Sequence, residues 1–75
     1  MALIDLELPA DSHPETRIYW AGEAFADLAE GKIDNELGWF IWGMIVGWTD
    51  GPCTKGDREA YLRLAHNFET FLRRD

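Results

Sequence analysis

Three kinds of side chain in this sequence could do chemistry: one thiol, two imidazoles and an excess of carboxylates. Cys53 is the only cysteine. No disulfide can form within the chain, and no second cysteine stands at zinc-ligand spacing. Cys53 follows Pro52 and precedes an expected helix start, a setting that can lower a thiol pKa. His13 and His66 are both distant in sequence, so no base is supplied beside it. The 14 aspartates and glutamates form many pairs by chance, and nothing marks one pair as an acid–base dyad. Gly38, Gly43 and Gly47 lie in an apolar run without the Lys-Ser/Thr ending of a phosphate loop. There is no Gly-x-Ser-x-Gly elbow. The expectation is a protein that is not an enzyme, holds no metal or cofactor, and acts through its surface.

The placement of the carboxylates is more telling than their number. Residues 1–36 hold nine acids and two bases; residues 37–75 hold five of each, so the front half carries the whole net charge of −7. An acidic surface repels phosphate, which disfavours direct nucleic-acid binding. It attracts a basic protein surface and speeds the encounter. Acidity that serves only solubility is the simpler alternative. Glu23, Asp27 and Glu30 recur at helical spacing, with Tyr19 four residues before Glu23 and Trp20 adjoining. Tyr19, Trp20, Glu23, Asp27 and Glu30 are therefore the candidate partner-binding face, since Tyr and Trp are enriched at interface hot spots. The alternative for Trp20 is packing beneath an N-terminal arm or the last helix.

The elements that carry these residues are helical. The fold expected is mostly α, a small three-helix bundle with a short extended N-terminal arm or strand, in a single domain over 1–75. In the arm, 1–11, Ile4, Leu6 and Leu8 alternate with Asp5 and Glu7 until Pro9. It either lies over the helices or pairs with a strand of another chain. Residues 12–30 predict the first helix, with Ser12, Pro14 and Glu15 as a capping-box pattern and Gly31 as the stop. Its buried stripe is Ile18, Ala21, Phe25, Leu28 and Ala29. Residues 34–49 predict the second helix, with Asp34 as N-cap. A hairpin turning at Gly43 is the alternative for this segment. Asp50-Gly51-Pro52 reads as a turn. Residues 54–73 predict the third helix, with Thr54 as cap and Tyr61, Leu64, Ala65, Phe68, Phe71 and Leu72 as a clean apolar stripe. Glu59–Arg63 and Glu69–Arg73 are favourable i,i+4 pairs on its outer side.

The second helix has no charged residue from Leu37 to Thr49 and is apolar on every side. Two stripes can pack on the neighbouring helices. The third, Phe40, Gly43 and Gly47, needs a cover: the arm, a second copy of the chain, or a foreign partner. These three residues are the candidate self-association stripe, and close helix approach along the Gly43/Gly47 edge would offset the helix-propensity cost of the glycines.

The run from Leu37 to Trp48 is too short for a membrane span, which needs about 20 residues. The N-terminus lacks the basic and apolar regions of a secretory signal, and a lone thiol suits a reducing compartment. The expectation is a cytoplasmic protein with no membrane partner. The profile as a whole, short, acidic and aromatic-rich, resembles that of virus-encoded inhibitors of bacterial proteins, anti-CRISPR proteins and DNA mimics among them. The resemblance is one of type, carried by no motif, and it transfers no residue role. It implies an inhibitor of a host or defence protein. Two functions are thus expected: an acidic inhibitor or adaptor that docks on a basic surface, such as that of a nucleic-acid-binding protein, or a homodimeric structural or assembly subunit.

Overall fold

The computed structural model describes residues 13–74, which form three helices: α1, Pro14–Ala29; α2, Asn35–Thr49; and α3, Lys55–Leu72. The chain is a small helical bundle, with no strand among the described residues. The expected arm, 1–11, and Ser12 lie outside them.

Local chemistry sets the helix ends. Asp34 has extended backbone, and its side chain accepts a hydrogen bond from the Leu37 amide at 2.8 Å, satisfying one donor of the first turn of α2. Thr54 does the same for the Asp57 amide at 3.1 Å. At the start of α1, His13 is the N-cap and makes no side-chain cap bond, and Pro14 follows, whose missing N–H removes one of the unpaired donors of the first turn; the cap expected at Ser12 lies outside the described residues. At the other end, Gly31 takes φ +80, a left-handed conformation open to glycine. The Gly31 amide donates to the Leu28 carbonyl at 3.1 Å and the Lys32 amide to the Asp27 carbonyl at 2.8 Å. This pair of bonds is the Schellman stop. The last turn of α2 is closed from outside: Arg58 of α3 donates from Nε to the Thr49 carbonyl at 3.0 Å.

The core is small and drawn from all three helices: Ala21, Ala24 and Leu28 of α1, Ile41 and Ile45 of α2, and Tyr61, Ala65, Phe68 and Leu72 of α3. On α1, Ala24 takes the buried place expected for Ala29, which is exposed; Ile18 and Phe25 are half-buried at the margin. The α3 stripe is as the periodicity predicts, with Leu64 and Phe71 at its edge. The continuous helix through Gly43 replaces the hairpin alternative.

Contact between α2 and α3 is the most extensive in the bundle and that between α1 and α2 the least, so α3 links the other two helices. No described residue covers the third stripe of α2: Glu36, Phe40, Gly43, Gly47 and Asp50 form an exposed line, with Phe40 57% exposed. The molecule measures 33 × 27 × 15 Å. So thin an arrangement leaves each helix an outer side. α2 meets that constraint with glycine, which puts backbone rather than apolar side chain at the surface.

Close approach occurs at a different glycine from those expected. Gly38 is buried, and a Cβ placed there would lie 2.9 Å from Leu72 Cδ2 and 3.1 Å from Leu28 Cδ1. All three helices thus meet at Gly38. A Cβ at Gly43 or Gly47 would have no such neighbour within 4 Å. Gly43→Ala and Gly47→Ala should each stabilise the fold by about 0.5–1 kcal/mol, the helix-propensity difference. Gly38→Val should destabilise it by about 1–3 kcal/mol through overpacking against two leucines. Urea denaturation measures all three, and a neutral Gly38→Val would refute the three-way junction.

Candidate acidic docking surface

The candidate face is built on α1. Tyr19, Glu23, Asp27 and Glu30 are spaced four, four and three residues apart, which places them along one side of a helix over roughly 16 Å. Tyr19 is 71% exposed, Glu23 and Glu30 are exposed, and Asp27 is half-buried. Among the described residues no base lies within ion-pair distance of Glu23 or Asp27. At the C-terminal end Lys32 folds back, its Nζ 3.1 Å from Glu30 Oε1. That hydrogen bond, and the field of Glu30 and Asp27, push the Lys32 pKa up. The ridge is therefore most strongly negative at Glu23 and Asp27 and partly neutralised at Glu30.

This ridge is placed against local helix electrostatics. Asp27 and Glu30 sit at the C-terminal end of α1, where the helix dipole is negative, and the last turn has no base. Each such carboxylate costs about 0.3–1 kcal/mol at a surface site. Helix stability thus does not explain them.

Three of the bases, by contrast, lie over aromatic rings. The Arg17 guanidinium lies 5.4 Å from the Trp48 ring centroid, Arg73 5.5 Å from Trp39 and Arg74 3.6 Å from Phe71. Arg73 also pairs with Glu69 at 3.0 Å, as the i,i+4 spacing predicts; the expected Glu59–Arg63 pair is not within ion-pair distance. The guanidinium groups of Arg17, Arg73 and Arg74 thus lie over half-buried aromatic rings. The described part of the front half, residues 13–36, carries six acids and two bases, and residues 37–74 four acids and five bases, of which three, Arg58, Arg73 and Arg74, are engaged with rings or backbone.

Trp20 does not share the face of Tyr19. It turns inward and meets the Trp48 ring edge-on at 6.3 Å, and Trp48 in turn packs on Tyr61 at 5.5 Å. The two aromatics read together from the sequence are thus divided, one structural and one outward. Tyr61 is 1% exposed. Burial pushes its pKa up, and the neighbouring Arg17 partly offsets this.

The proposed self-association residues Phe40, Gly43 and Gly47 do fall on one exposed side of α2. Phe40 also borders an open groove of about 410 Å³ with Asp34, Glu36 and Leu37, which the sequence reading did not single out; the four-residue spacing of Glu36 and Phe40 was its only signal. A second groove, about 560 Å³, lies between α1 and α3 and is lined by Phe25, Phe71, His66, Asn67, Thr70 and Arg74. His66 is exposed, not packed beside the apolar stripe, and its Nε2 is 3.5 Å from Thr70 Oγ1. Cys53 is half-buried at the edge of the core. Among the described residues no group of three His, Cys, Asp or Glu side chains could hold a metal ion, and no helix is long and apolar enough to cross a membrane.

Comparison with protein-family models, curated proteins and solved structures finds no match to this chain.

The division of the aromatic pair has a direct consequence for mutagenesis. Trp20→Ala should destabilise the protein by about 2 kcal/mol, less than a fully buried tryptophan would. Tyr19→Ala should stay within about 0.5 kcal/mol of wild type, as a surface change does. Thermal or chemical denaturation of the two variants decides it; equal effects would contradict the inward placement of Trp20.

Proposed function

We propose that this protein is a small binding protein, an inhibitor or adaptor, that docks the outer side of α1 onto a basic surface of another protein. The contact is centred on Glu23 and Asp27, with Glu30 at one end and Tyr19 at the other as an exposed aromatic anchor. The observation that supports this reading is the contrast between Glu23 and Asp27, which have no ion-pair partner among the described residues and of which Asp27 stands in a last turn that disfavours it, and three arginines whose guanidinium groups lie over aromatic rings. Such a surface steers a basic partner by long-range attraction and repels nucleic acid itself. A nucleic-acid-binding protein, whose own groove is basic, is the partner class that fits. A virus-encoded inhibitor of a bacterial host or defence protein would work in this way. Trp20 supports the face from beneath.

The second reading is a homodimer formed through α2, and the exposed Phe40 favours it. Charge weighs against it. The exposed line of α2 has Glu36 near one end and Asp50 at the other, with no base between. Any two-fold pairing along this line sets carboxylates against carboxylates, whether the helices run parallel or antiparallel. Sedimentation of the purified protein should show a monomer across concentration; a reversible dimer would favour the second reading.

The docking reading predicts strong salt dependence, because exposed charges separated by more than about 8 Å are screened at physiological ionic strength. A basic protein captured by the tagged wild-type chain should bind roughly tenfold more weakly on raising salt from low to several hundred millimolar, and the variant carrying Glu23→Lys and Asp27→Lys should fail to capture it. Salt-independent capture, or capture by the double variant, would refute the docking reading.

A further inference from the structure

The groove at the start of α2 has the chemistry to receive one particular kind of side chain. Its floor is apolar, made by half-buried Leu37 and by Phe40, the second most exposed, after Tyr19, of the large hydrophobic side chains among the described residues. Its rim carries two carboxylates. Asp34 engages Oδ1 with the Leu37 amide, and Glu36 has no ion pair among the described residues. The N-terminus of α2 contributes about half a positive charge, which two carboxylates outweigh. A flat apolar surface beside net negative charge is complementary to a planar cation with an aliphatic stem. That description fits arginine better than lysine, because the guanidinium stacks on an aromatic face and is weakly hydrated, whereas the ammonium is a compact, strongly hydrated point charge.

The molecule itself uses this pairing three times, with Arg17 on Trp48, Arg73 on Trp39 and Arg74 on Phe71. Phe40 is an outward ring with no arginine of the described residues laid over it. The groove between α1 and α3 is the opposite case: Arg74 already lies on its Phe71 floor and donates to the Phe71 carbonyl at 2.6 Å.

We propose that the corner formed by Asp34, Glu36, Leu37 and Phe40 is a socket for an arginine side chain of a protein partner. The arginine stem lies along Leu37, its guanidinium stacks on Phe40, and its N–H groups donate to Glu36 and to the second oxygen of Asp34. This rests on the reading of a basic partner and extends its footprint from α1 across the Gly31–Ile33 turn onto α2. It also assigns the exposed Phe40 to a foreign side chain rather than to a second copy of this chain.

The test uses the full chain labelled with ¹⁵N and two probes, an octa-arginine peptide and its octa-lysine counterpart. Octa-arginine should move the amide resonances of residues 34–40 as well as those of 19–30. It should bind roughly two- to five-fold more tightly than octa-lysine, the range a surface cation–π contact supplies. Phe40→Ala, a change at an exposed site, should abolish the preference for arginine while both peptides still bind. Glu36→Gln should weaken both alike. Shifts confined to 19–30, or an arginine preference that survives Phe40→Ala, would overturn the socket and leave the α1 ridge standing. Shifts at 34–40 without any at 19–30 would uphold the socket and overturn the ridge, and silence at both would overturn both. Concentration-dependent shifts at 34–40 without peptide would make a second copy the occupant and overturn the socket.

Discussion

The bundle depends on the crossing at Gly38, where Leu28 of α1 and Leu72 of α3 close on the backbone of α2. With no side chain between them, the three helices meet at one point. Among the described residues the core this crossing gathers is small, four of its nine members lying on α3, and only Tyr61, Phe68, Ile41 and Ile45 are large and wholly enclosed. A chain of this size has little apolar burial to draw on, so a close contact shared by all three helices matters more than it would in a larger domain. The junction also lies four residues from Asp34 and two from Phe40, so it fixes the start of α2 and the orientation of the groove there.

Around this crossing, charge is sorted by sign. Arg17, Arg73 and Arg74 lie over half-buried rings at the aromatic margin. Carboxylates line the outer side of α1 and both ends of the exposed line of α2. The arrangement is costly to α1 where Asp27 and Glu30 oppose the helix dipole, and the Schellman bonds at Gly31 and the returning Lys32 partly compensate. A local rule broken without benefit to the helix that bears it points to a use elsewhere. The docking surface we propose for a basic partner would account for both the broken rule and the placement of charge.

Much of this architecture is legible in the sequence because it is local. Asp34, Thr54 and Gly31 announce helix ends through their own backbone chemistry, and the α3 stripe follows from period alone. The Tyr19, Glu23, Asp27 and Glu30 ridge is legible for the same reason. What escapes is set by relations between helices. In α1, alanines at 24 and 29 are interchangeable to a periodicity argument, and only the direction of approach of α3 buries one and exposes the other. In α2, apolar residues on every side conceal which stripe faces out. The deciding feature is that Phe40, Gly43 and Gly47 are the least costly side to expose, two of them having no side chain. The glycine that permits close approach, Gly38, cannot be told from Gly43 and Gly47 by type. Trp20 was set apart from the core stripe by its angle on α1, yet a large ring at that angle reaches Trp48 across the bundle. The Phe40 groove is invisible to a search for chemistry because it is assembled from a helix cap and an apolar turn.

The meeting of three helices at Gly38 is open to direct observation in solution. In a nuclear Overhauser spectrum of the full chain, the Gly38 α protons should give strong cross-peaks to methyl groups of both Leu28 and Leu72. Cross-peaks to only one of the two leucines, or to neither, would contradict the junction and, with it, the placement of the acidic ridge and the Phe40 groove on a single rigid frame.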